Sequence, residues 1–128
     1  MLNKSLLLSG IILLLIDSIY INLSKKYFIN QIQRIQNKKP KLNYIGIILC
    51  YIFLIIGINY FIIKPSKSIS DAFILGIVIY GVYETTNYAL LENWSFLTVI
   101  MDTLWGGILF ALTTYIMIKL QKYLNINK

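Results

Sequence analysis

Three acidic side chains, Asp17, Glu84 and Asp102, lie inside stretches that are otherwise apolar. A carboxyl in such surroundings is costly and is kept either for packing or for function. Each sits in a short cluster of groups able to hydrogen-bond it: Asp17-Ser18-Ile19-Tyr20, Tyr83-Glu84-Thr85-Thr86-Asn87 and Asp102-Thr103-Leu104-Trp105-Gly106. Buried carboxyls of this kind can accept bonds between helices, bind a cation or a headgroup, or take up and release a proton. The chain has no His and a single Cys, Cys50. The commonest general base and metal ligand is therefore missing, and no disulfide can form within these residues.

The elements that must position these acids follow from composition. Of 128 residues, 58% are hydrophobic and 13% charged, and the mean hydropathy is +0.71. A water-soluble domain of this size needs far more polar surface, so the chain reads as an integral membrane protein. Four apolar runs approach the roughly 20 residues that a spanning helix needs. They cover about 5–23, 42–63, 69–91 and 96–120. Pro40 and Pro65 bracket the second run, and Ser68-Ile69-Ser70-Asp71 caps the start of the third. Trp94 and Tyr123 flank the fourth and read as interface anchors. Residues 1–128 are thus expected to form one all-α domain, a polytopic four-transmembrane-helix bundle. Lys4 followed by Leu6 to Ile16 has the outline of a signal peptide, but no small-x-small cleavage site follows, so the first span is expected to be retained.

The net charge of +7 sits between the runs, as in segments that meet lipid headgroups. Nucleic-acid binding is not expected, because the basic stretch is too short for a domain of its own. Ser24 to Lys41 carries Lys25, Lys26, Arg34, Lys38, Lys39 and Lys41. With Phe28, Ile32 and Ile35 at helical spacing, this segment is read either as an amphipathic helix on the membrane surface or as a solvated loop. Lys4, Lys64, Lys67, Lys119, Lys122 and Lys128 balance it on the opposite side. The density of the first loop favours a cytoplasmic position for it, with both termini outside.

Alternating spans place the first and third loops on one face. Asp17 lies six residues before the end of span one, Glu84 seven before the end of span three, and Asp102 six after the start of span four. At about 1.5 Å per residue, all three reach a common level roughly 9–10 Å below that face. Leu13, Asp17 and Tyr20 form a helical stripe, as do Tyr80, Glu84, Asn87 and Leu91, and Asp102, Trp105, Gly106 and Leu109. These faces should point inward, because lipid cannot hydrogen-bond a carboxylate. No basic residue lies in the interior of a span to neutralise the acids (Lys119 is at the far end of span four), so they are not all expected to be ionised. Gly46, Cys50 and Gly57 of span two, with Gly106-Gly107 of span four, are read as small-residue packing surfaces. Cys50 is expected to be buried, and Asn59 to bond across to another helix.

In these residues the chain resembles the small four-span membrane proteins catalogued as domain of unknown function 2177. That pattern is an Asp-x-x-Trp in span one, Tyr-Asp-x-Thr-Asn-x-Ala, a Trp several residues on, then Asp-x-x-Trp-Gly. Asp17-Ser18-Ile19-Tyr20, Tyr83-Glu84-Thr85-Thr86-Asn87-Tyr88-Ala89, Trp94 and Asp102-Thr103-Leu104-Trp105-Gly106 match it across nearly the whole chain. Tyr20 stands in place of Trp and Glu84 in place of Asp, changes that keep an aromatic and a carboxylate. The resemblance implies the four-span fold and singles out Asp17, Glu84, Asn87, Asp102 and Trp105. It carries no activity.

Two roles follow for the acids. In one, they bond to Asn87, Thr85, Tyr20 or Trp105 and hold helices together. In the other, Asp17, Tyr20, Tyr83, Glu84, Asn87, Asp102 and Trp105 line a polar pocket for a proton, ion, small molecule or lipid headgroup. The leading reading is a binding protein or proton-coupled carrier with no cofactor, whose partners are the lipid bilayer and, in a homo-oligomer, further copies of itself. Its layout is similar to that of small multidrug-resistance transporters, although those rely on one membrane acid rather than three. The alternatives are a lipid-modifying membrane enzyme, with the carboxylates and Asn87 around Mg²⁺, and a structural subunit of a membrane complex. Against an enzyme stands the lack of His, of an activated nucleophile and of a phosphate-cradling loop.

Overall fold

The computed structural model describes residues 3–124; Lys128, counted above among the basic residues, lies outside them. The described chain is helical with short connections: α1 Lys4–Gln36, α2 Tyr44–Ile58 continuing into a π-helical turn Asn59–Ile63, α3 Ile69–Leu90 and α4 Phe96–Leu124. All four are long and apolar enough to cross a bilayer. The protein is therefore an all-α, multi-pass membrane protein. Large apolar side chains such as Leu15, Ile45, Phe53 and Leu97 are exposed along the helices, as expected of surfaces that meet lipid rather than water.

The helix ends follow their local chemistry. Asn3, Asn43 and Ser68 cap the starts of α1, α2 and α3, each accepting a backbone N–H three residues on. Helix α1 is far longer than a membrane crossing. Its 33 residues span about 50 Å against a hydrocarbon thickness of about 30 Å. The segment after Ser24 is thus neither a loop nor a separate helix on the membrane surface. It carries α1 on to Gln36, because no Gly or Pro interrupts the chain between Gly10 and Pro40. Asn37 ends the helix in the left-handed region, at φ 61°.

That extension has a structural use. Gln31 is fully buried, and its Oε1 accepts the Ser95 backbone N–H at 2.9 Å and the Thr98 hydroxyl at 3.0 Å. Tyr27 meets the same Thr98 hydroxyl at 2.7 Å. A polar side chain of α1 therefore takes up donors at the start of α4 that the helix itself leaves unpaired.

Helices α3 and α4 make the closest pair. A Cβ at Gly76 would collide with the Gly106 carbonyl, one at Gly106 with the Tyr80 ring, and one at Gly107 would lie 2.8 Å from Phe73 and 2.9 Å from Ile77. Backbone meets backbone here, so Gly106-Gly107 acts as the small-residue surface expected of it. Span two does so only at one end. Cys50 is exposed rather than buried, and a Cβ on Gly46 would meet only its own cap residue, Asn43, whereas one on Gly57 would lie 3.9 Å from Ile79 of α3. Small residues at helical spacing do not fix which face turns to a neighbour, and the Gly46–Cys50 part of this stripe turns outward. Asn59 does bond across helices: its Nδ2 donates to Ser9 Oγ at 2.6 Å. It does so from the first residue of the π turn, which closes with the Lys64 N–H on the Asn59 carbonyl at 2.8 Å.

Candidate functional site

Helices α1 and α4 run antiparallel and carry the same short pattern, an acid followed three residues later by an aromatic. Three residues forward along α1 match three residues back along α4, so each acid faces the aromatic of the other helix. Trp105 Nε1 donates to Asp17 Oδ1 at 2.8 Å, and the Tyr20 hydroxyl donates to Asp102 Oδ1 at 3.1 Å. Between these bonds the Tyr20 and Trp105 rings stack, centroids 4.5 Å apart and planes 3° from parallel. Hydrogen bonds to a charged group contribute about 1.5–3 kcal/mol each, and a stacked aromatic pair adds about 0.5–1.5 kcal/mol.

Asp17 is saturated by a third helix. The Tyr51 hydroxyl of α2 donates to Oδ2, so both oxygens of this carboxyl have donors and three helices meet on it.

Glu84 is placed differently. It is 0% exposed, and Trp94 Nε1 donates to its Oε1 at 2.8 Å. Trp94 reaches it because Asn93, at φ 64°, reverses the chain between α3 and α4; Asn is among the few residues that tolerate this conformation. Trp94 is therefore buried against the acid rather than anchored at the interface. The other oxygen, Oε2, meets no N–H or O–H donor.

Beside these acids is a cavity of about 660 Å³. Asp17, Tyr20, Glu84 and Asp102 form its polar side, and Phe28, Ile29 and Ile32 of the α1 extension with Leu42 of the linker form apolar wall. Lys25 also lines it, eight residues and about 12 Å along α1 from Asp17. The three acids from three spans thus reach one level and one cavity. Tyr83 lines the cavity while remaining 59% exposed. Trp105 and Asn87 are not among the lining residues. Trp105 acts through Asp17, and Asn87 Nδ2 is buried without an acceptor. Thr85, a second candidate partner for the acids, returns its hydroxyl to the Gly81 carbonyl at 2.6 Å.

Sequence reasoning did not find Tyr51 or the role of Trp94. Nothing distinguishes Tyr51 among ten tyrosines. For Trp94 a signal existed in the preceding Asn93, a residue suited to a tight reversal. Among the described residues no group of three or more His, Cys, Asp or Glu could hold a metal ion.

No curated protein and no solved structure matches the chain. Over residues 2–118 the chain matches the family described as predicted membrane protein (DUF2177), and it belongs to that family.

Proposed function

We propose that this membrane protein binds a cationic amphiphile, an amine or onium ion carrying apolar groups, in the cavity beside Glu84. The observation that carries this reading is the Glu84 carboxyl: fully buried, facing the cavity, with one oxygen lacking any donor. An unsatisfied acceptor in an apolar interior is costly, and a cation would satisfy it. The apolar wall of Phe28, Ile29, Ile32 and Leu42 suits the rest of such a ligand. Lys25 is exposed, so its stem can cover the wall while its ammonium reaches water.

Binding would exchange one positive charge for another. A proton carried by one of the two acids lining the cavity, Glu84 or Asp102, would leave as the cation enters, and the total charge of the site would be unchanged. This is the chemistry a proton-coupled carrier needs. Asp17, with both oxygens already bonded, serves to hold α1, α2 and α4 in place.

Titration of the detergent-purified protein with tetraphenylphosphonium tests the reading by calorimetry in buffers of different ionisation enthalpy. The expected result is binding with release of about one proton per cation, and binding weakened about tenfold or more in Glu84→Gln. Equal affinity in wild type and Glu84→Gln, or no binding of the cation at any pH, would contradict it.

A further inference from the structure

The end of the bundle opposite the acids carries a second polar cavity. It measures about 320 Å³ and lies between the first turn of α1 and the π turn, with Asn3, Ser5, Asn59 and Lys64 in its lining. Leu6 and Ile56 line it as well, and both also line a further cavity of about 410 Å³ that runs along the α1–α2 face past Gly10, Ile11 and Ile52. The two form one amphipathic groove, polar at the end of the bundle and almost wholly apolar toward its middle.

Ser5 singles out the polar end. It is 2% exposed, lines the cavity, and its hydroxyl has no partner. Helix α1 begins beside it and presents the positive end of its dipole. Lys64 lies over the Tyr60 ring, its Nζ 5.9 Å from the centroid, which holds the ammonium near the groove. This end of the molecule carries Lys4, Lys64, Lys67, Lys119 and Lys122 among the described residues, with Asp71 as its only acid. A hydroxyl donor, an ammonium and a helix start in a positive field suit a phosphate bearing net negative charge. The apolar continuation suits an acyl chain, since from Ser5 to Leu14 the groove runs about 13 Å down α1.

From this geometry we infer that the α1–α2 groove binds one anionic phospholipid, its headgroup phosphate at Ser5 and Lys64 and an acyl chain against Gly10, Ile11 and Ile52. The site is independent of the cavity at Glu84.

Native mass spectrometry of the detergent-purified protein tests this with phosphatidylglycerol and phosphatidylcholine of identical acyl chains, and with inorganic phosphate alone. The expected result is a one-to-one phosphatidylglycerol complex, favoured about tenfold over phosphatidylcholine. Lys64→Gln and Ser5→Ala should each reduce that preference at least threefold, and Ile11→Trp, which fills the apolar groove from an exposed position, should weaken both lipids. Glu84→Gln should leave lipid binding unchanged, so a failure of the cation site does not affect this result. Equal binding of the two lipids would overturn the inference. So would a preference that survives Lys64→Gln and Ser5→Ala together, or binding of inorganic phosphate as strong as that of the lipid.

Discussion

The α1–α4 crossing and the Glu84 corner are built from the same parts, buried carboxyls and indole or phenol donors at one depth, and they end in opposite states. At the crossing every partner is found. Asp17 takes Trp105 and Tyr51, Tyr20 reaches Asp102, and the two aromatic rings stack between the bonds. At the corner Glu84 has Trp94 on one oxygen and no donor on the other. In an apolar solvent a closed polar network fixes helices in register, whereas one missing donor leaves a group ready to take a proton or a cation. On this difference rests our proposal that Asp17 serves structure and Glu84 exchange.

The largest effect should come from breaking the closed side. Asp17→Leu strands the half-buried Trp105 and Tyr51 donors at once and should cost about 2–6 kcal/mol, since each unsatisfied donor costs about 1–3 kcal/mol. Loss of the monodisperse peak on size-exclusion chromatography would report it. A smaller effect sharpens the pairing itself. In a double-mutant cycle, Tyr20→Phe and Asp102→Asn should couple by about 1–2 kcal/mol. Tyr20→Phe with Asp17→Asn should couple less, because no bond joins that pair. Trp94→Phe removes the single donor on Glu84 and should cost about 1–3 kcal/mol in thermal melting. Trp105, the remaining tryptophan, should keep its emission in that variant, since its surroundings do not change. The smallest effect is predicted for Glu84→Gln. Its stability should lie within about 1 kcal/mol of wild type, because sites poised for binding often gain or lose little when their polar group is neutralised.

Much of this arrangement can be read in the sequence. Four apolar runs and a fixed rise per residue are enough to bring Asp17, Glu84 and Asp102 to one level. The Asp-x-x-aromatic pattern is visible on both α1 and α4, but its reciprocity is not, because the register of two antiparallel helices is set by packing along their whole length. The extension of α1 was open to detection in the absence of Gly and Pro before Pro40. Trp94 was hidden by an ordinary alternative, since aromatic residues at span ends commonly sit at the interface. The outward-facing Gly46 and Cys50 show the limit of periodicity. It defines a face without saying what that face meets.

The most direct test of the division between the two regions is a comparison of melting temperatures in one detergent for wild type, Asp17→Asn and Glu84→Gln. The account predicts a marked fall for Asp17→Asn, which places an amide where two donors converge, and a value near or above wild type for Glu84→Gln. A fall in Glu84→Gln as large as that in Asp17→Asn would contradict it, and would make all three carboxyls supports for the helix bundle.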